Sequence, residues 1–263
     1  MATYSERRVE FDGCAINWRV KGEGEPVIFL HGAGGLVEWL PYYDLLAQGR
    51  RLCAPDHPGF GLSDEPDIRE VADIARFYIG LFRKLGLSRL DVVGSSLGGW
   101  LAAEIALRAP ELVRSLVLFS PAGVTDPRRP PADFFGWERE TLAAALYHDE
   151  VHVRRMLDMA ATPELVAILQ KNRRTTLRVA SEPLLRGAFL EQSLKDLAQP
   201  VRLIWGRNDN IIPVESADTW LRDARNAALS VFDACGHLPF CERPDDSFEL
   251  TRSHFAATAT AGA

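Results

Sequence analysis

The stretch Leu90–Trp100, LDVVGSSLGGW, changes character in its middle. Leu90 to Val93 is an apolar run suited to a strand buried on both faces, whereas Leu97 to Arg108 (LGGWLAAEIALR) has helical composition and stops before Pro110. Two serines stand at the junction, and G-x-S-x-G fits in one register only, Gly94-Ser95-Ser96-Leu97-Gly98. A serine on a sharp strand-to-helix turn has an exposed hydroxyl, and the helix N-terminus aims backbone N–H groups at the atom it attacks. Gly94 and Gly98 let strand and helix approach each other closely. Without that chemistry, Ser96 would serve as a helix N-cap.

A serine is a weak nucleophile unless a base, itself held by a third group, takes its proton. The base should lie late in the chain, and DACGHLPFCERP offers His237 directly after the strand-like ALSVFD. LIWGRNDNIIP offers Asp209 just past Gly206, again after a strand. The order Ser96, Asp209, His237 is the one this strand–turn–helix scaffold requires. Taken singly, Asp209 would be a turn residue and His237 a structural histidine; the three together carry the inference.

HGAGG, His31 to Gly35, follows the strand PVIFLH and can turn backbone N–H groups toward the serine. The expected oxyanion donors are the N–H groups of Leu97 and Ala33, with Gly34 as an alternative to Ala33. The loop lacks G-x-G-x-x-G spacing and a P-loop lysine, which argues against a phosphate site. His31 is read as a brace for this loop.

The rest of the chain supplies the frame. RRVEFDG and AINWRVKG form a hairpin about Asp12-Gly13. PVIFLH, RRLCAPD, LDVVGS and SLVLFS then alternate with helical patterns, as in a mainly parallel sheet with helices on both faces. The rhythm breaks at Pro121 and resumes at Pro200 with PVRLIWG, a helix over Ser216–Ala224, ALSVFD and a last helix over Asp245–Phe255. Between the breaks the pattern is helical. The expected division is therefore a core of residues 1–121 and 198–258, a helical cap of 122–197, and a frayed tail of 259–263.

With 47% hydrophobic and 25% charged residues among 263, and a net charge of −6, the chain reads as a globular domain with a sizeable core. No basic stripe indicates nucleic acid and no long uncharged apolar run indicates a membrane span. Cys14, Cys53, Cys235 and Cys241 form no C-x-x-C pair, which fits free thiols in a reducing, cytoplasmic compartment. A small-molecule substrate is expected, without cofactor or metal, and self-association into a homo-oligomer is left open.

FLHGAGG, APDHPGFGLSD, VVGSSLGGW, IWGRNDNIIP and CGHLPFCERP, in this order, resemble the α/β-hydrolase superfamily, in its serine-nucleophile branch. The resemblance implies a sheet of about eight strands with a helical cap inserted after the sixth, Ser96 as nucleophile, His237 as base, Asp209 as orienting acid and the loop after "HG" as oxyanion hole.

The expected reaction is hydrolysis of a small to medium, fairly apolar carboxylic ester. Ser95, Leu238 and Trp137 are candidate substrate contacts. Arg173 or Arg174 could hold a substrate carboxylate in the alternative, a carbon–carbon bond hydrolase of the type that cleaves ring-fission products. Three positions depart from that type as the resemblance describes it: no proline follows Gly34-Gly35, Ser95 stands where asparagine is usual, and Leu238 where tryptophan is frequent. A non-enzymatic ligand receptor on the same scaffold is the remaining alternative.

Overall fold

The computed structural model describes residues 4–180 and 184–260. Strands β1 (Ser5–Phe11) and β2 (Cys14–Lys21) form the expected antiparallel hairpin, closed by Asp12 and Gly13 at positive φ. They are followed by β3 (Pro26–Leu30), helix α1 (Pro41–Leu46), β4 (Arg51–Pro55), α2 (Val71–Lys84), β5 (Leu90–Ser95), α3 (Leu97–Arg108) and β6 (Val113–Phe119). The sheet has eight strands once β7 (Val201–Gly206) and β8 (Ala227–Phe232) are added, in the order β1-β2-β4-β3-β5-β6-β7-β8. All pairings from β4 onward are parallel.

Strand residues alternate between the two faces, so both faces must be covered. Val92, Leu116 and Leu118 enter one core, together with residues of α2, α3 and α8 (Ser216–Asp223). Val93, Val117 and Phe119 enter the other, with α1 and the C-terminal helix α10 (Pro244–Thr260), which follows the short α9 (Pro239–Glu242). Helix α2 starts where Asp73 accepts from the Glu70 N–H at 3.1 Å, and it buries Val71, Ile74, Ala75, Tyr78 and Phe82 along one stripe. Helix α1, six residues long, carries too little periodicity to be announced by sequence. α10 runs to Thr260, beyond the expected end at Phe255, so residues 259 and 260 are helical; 261–263 of the expected tail lie outside the described residues.

Between β6 and β7 the chain forms α4 (Arg139–Leu146), α5 (Glu150–Asp158), α6 (Pro163–Ala180) and α7 (Ala188–Ser193). Parallel pairing puts the carboxyl ends of β3, β5, β7 and β8 at one edge of the sheet, under this helical segment. Among the described residues no helix is long and apolar enough to cross a membrane.

Candidate active site

Ser96 occupies the turn between β5 and α3 with φ 54° and ψ −116°, a conformation that is strained for any residue with a side chain. The turn is held by its own backbone: the Ser96 N–H donates to Phe119 O at 2.9 Å, and Ser96 O accepts from Gly99 and Ala122. The flanking glycines are required by contact. A Cβ at Gly94 would stand 2.5 Å from Gly98 O, and one at Gly98 would stand 2.0 Å from Leu30 O. The glycines of the motif therefore press β5, α3 and β3 together around the serine.

Asp209, past the end of β7, divides its carboxylate between two tasks. Oδ1 accepts from the N–H groups of Ile211 and Ile212, each at 2.9 Å, which closes its own turn. Oδ2 lies 2.8 Å from Nδ1 of His237, on the loop after β8. A carboxylate only accepts, so Nδ1 carries a hydrogen and Nε2 is the ring nitrogen left for a second partner. All three side chains are buried, and Ser96 and His237 line one cavity of about 540 Å³ between sheet and cap.

His31–Gly35 forms the neighbouring wall. Gly35 N–H donates to Gly32 O at 3.0 Å, leaving Ala33 and Gly34 at the crest of a turn facing the cavity. Leu97 opens α3, where a first-turn N–H has no acceptor within the helix. His31 braces the loop from below: Nδ1 donates to Gly32 O at 2.7 Å and Nε2 accepts from the His57 N–H at 3.1 Å. His57 stacks on it at 3.7 Å and bonds Tyr78. Burial lowers the His31 pKa to about 4 and that of His57 well below the ordinary range, so both rings are neutral.

Ser95, Leu238 and Trp137 line the cavity, and the buried Ser95 hydroxyl has no hydrogen-bond partner among the described residues. Arg173 also lines it, with its Nε donating to Phe135 O at 3.0 Å. Arg174 is exposed and does not reach the wall. The other wall arginines are equally engaged. Arg155 pairs with Glu38, and Arg139 binds the carbonyls of Met156 and Met159. Leu142, Leu146 and Met156, from the helical segment between β6 and β7, line the cavity. Phe189 does not, and lies outside under the Arg108 guanidinium. All four cysteines are free and buried.

Two residues near the site were not singled out as site residues, although Glu242 lies within CGHLPFCERP. Glu242, on α9, accepts from Gly236 N–H at 2.6 Å through one oxygen and from His148 and Asp149 N–H at 2.9 and 2.7 Å through the other. Asn172, on α6, is buried against the Gly32–Gly35 turn. A signal for it existed, since Leu165, Leu169, Asn172 and Thr176 share one helical stripe, polar at its C-terminal half.

Known proteins carry the same architecture. Over 253 residues the chain is 30% identical to the 2-hydroxymuconate semialdehyde hydrolase of Pseudomonas sp. (strain CF600), covering 88% of this chain and 87% of that one. The solved 2-hydroxy-6-oxo-6-phenylhexa-2,4-dienoate hydrolase of Rhodococcus sp. strain RHA1 matches with a TM-score of 0.78 at 24% identity, over 96% of this chain and 99% of that chain. A membrane phospholipase A described as a bacterial virulence factor matches with a TM-score of 0.77 at 24% identity, over 97% and 87%. The family model for the alpha/beta hydrolase fold spans residues 25–244, from β3 through the His237 loop, and with the eight-stranded sheet and the turn at Ser96 it makes the chain a member of the alpha/beta-hydrolase family.

Proposed function

We propose that this hydrolase cleaves small to medium, fairly apolar carboxylic esters by acyl transfer. Ser96 Oγ attacks the ester carbonyl while Nε2 of His237 takes its proton, and Asp209 holds the ring and stabilises the imidazolium. The N–H groups of Leu97 and Ala33 receive the developing oxyanion. His237 then returns the proton to the departing alcohol. Water, with His237 again as base, adds to the acyl-enzyme and releases the acid and Ser96.

The observation that carries the ester reading is the state of the cavity wall. Of its three arginines, Arg155 is neutralised by Glu38, and Arg139 and Arg173 spend N–H donors on backbone carbonyls, which favours a substrate without a carboxylate of its own. Carbon–carbon cleavage is the second reading, supported by the relatives named for semialdehyde and dienoate substrates, both carboxylates.

The two are separated by kcat/KM for p-nitrophenyl butyrate and for 2-hydroxymuconate semialdehyde, each also measured with Ser96→Ala. A higher value for the ester, lost in the variant, supports the first reading. A higher value for the semialdehyde replaces it by the second.

A further inference from the structure

We infer that Asn172, on cap helix α6, is the positioning residue of the oxyanion loop, and that it ties the geometry of that loop to the seating of the cap. The inference rests on the hydrolase reading above. Asn172 is 1% exposed, and both ends of its amide are used: Nδ2 donates to Gly34 O at 2.8 Å and Oδ1 accepts from Gly61 N–H at 2.8 Å. A carbonyl cannot donate and an N–H cannot accept, so the amide has one possible orientation.

The bond to Gly34 falls on a decisive peptide. The unit formed by Gly34 C=O and Gly35 N–H is held from both sides, its N–H by Gly32 O inside the turn and its C=O by Asn172 from the cap. That peptide adjoins the one that carries the Gly34 N–H, and the Gly32 O that receives its N–H belongs to the peptide that carries the Ala33 N–H, so holding it restrains both donors on the crest. Gly35 has φ 81°, and a Cβ there would stand 2.4 Å from Nδ2, so the turn is shaped to receive this side chain.

Helix α6 is itself keyed to the core beside Asn172. Thr175 Oγ1 donates to Gly59 O at 2.7 Å and Lys171 Nζ to Gly61 O at 3.2 Å. The oxyanion turn is thus clamped by His31 from the sheet side and by Asn172 from the cap side. A cap that lifted would release the second clamp and leave the donors free to swing. Misplacement of about 1 Å in such a site costs on the order of 100-fold in rate.

Asn172→Asp and Asn172→Ala test this. Aspartate keeps the acceptor for Gly61 N–H, but as a carboxylate it has no hydrogen for Gly34 O. Burial against a carbonyl raises the pKa of that carboxyl, and the protonated form regains a donor. In folded Asn172→Ala, kcat for p-nitrophenyl butyrate should fall on the order of 10- to 100-fold with little change in KM. Asn172→Asp should match that loss near about pH 9 and exceed the alanine variant several-fold near about pH 6. Dividing each rate by the wild-type rate at the same pH removes the pH dependence that the variants share with the wild type.

An unchanged kcat in the alanine variant overturns the role, as do equal rates for both variants at the acid end. If neither variant folds by circular dichroism, Asn172 is a structural residue and the role is also overturned. A wild type that neither turns over the ester nor is labelled at Ser96 by a phosphonate overturns the hydrolase reading and this role with it. An active, labelled wild type with indistinguishable variants removes only the role of Asn172.

Discussion

The backbone N–H of His237 donates to the carbonyl of Leu146 at 2.8 Å, so the loop carrying the candidate base hangs from the end of the first cap helix. Glu242 reinforces the joint, since its carboxylate reaches Gly236, directly before His237, and His148 and Asp149, directly after the same helix. The helical segment between β6 and β7 therefore does more than line the cavity. It is hydrogen-bonded to the histidine loop on one side and, through the Asn172 side chain, to the Gly32–Gly35 turn on the other.

Removing the joint should cost both stability and rate. Glu242→Ala leaves three N–H groups without their charged acceptor, and hydrogen bonds to charged groups contribute about 1.5–3 kcal/mol each where burial keeps water away. A fall in the thermal midpoint of several degrees is expected, together with a lower kcat as the His237 loop loosens. Calorimetry and ester kinetics on the same preparation check this. A destabilised variant with wild-type kcat would show that the loop is held without Glu242.

The strain at Ser96 leads to a second test. A residue with a side chain at φ 54° and ψ −116° costs on the order of 1–3 kcal/mol, whereas glycine adopts this conformation freely. Ser96→Ala and Ser96→Gly should both lose several orders of magnitude in activity, and the glycine variant should unfold at the higher temperature. Ser95→Ala should lose far less, because Ser95 Oγ takes no part in proton transfer. A dead Ser95→Ala enzyme would move the nucleophile by one residue.

Much of this site was legible in sequence because its constraints are local. Gly94, Ser96 and Gly98 are dictated by one turn, and Asp209 and His237 follow strand ends that apolar runs mark out. The helical segment between β6 and β7 was legible as a break in the strand–helix rhythm at Pro121. What escaped is long-range. Asn172 meets Gly34 across 138 positions, and Glu242 meets His148 across 94, so nothing near either residue announces these partners; only the Glu242 bond to Gly236 is local. Arg173 lines the cavity as a sequence candidate, but its bond to Phe135 O, 38 positions away, is of the same long-range kind.

The buried His31–His57 pair predicts acid sensitivity of the fold. His31 titrates at the ordinary 6.5 when unfolded and at about 4 when folded, so the unfolded chain binds the extra proton between those values. Its contribution is complete above about pH 6.5 and is lost as pH falls toward 4. The gap corresponds to about 3 kcal/mol, and His57 acts in the same direction. Unfolding free energy measured by denaturant titration should drop across this window in Ser96→Ala as well as in wild type, because catalysis plays no part. His31→Asn should be less stable throughout, with a shallower slope between pH 6.5 and 4. An unchanged slope would assign the acid loss to other groups.

The cavity mouth predicts which esters react fastest. Val166 and Leu169 line the cavity while remaining 37% and 42% exposed, and with Val37 they form an apolar rim in contact with water. Along α6 the wall passes from Leu165, Val166 and Leu169 to Asn172 and Thr176 beside the oxyanion turn, so a chain bound at Ser96 meets apolar surface as it grows outward. Each methylene that leaves water for such a wall gains about 0.8 kcal/mol at full burial, or roughly a four-fold rise in kcat/KM. Values for p-nitrophenyl esters should therefore climb from acetyl through hexanoyl, by less than this limit because the rim is half exposed. Leu169→Glu should raise KM for the octanoyl ester and change that of the acetyl ester much less, since only the longer chain reaches the substituted position. If both esters weaken equally, Leu169 acts through the fold of α6 and the chain leaves the cavity by another side.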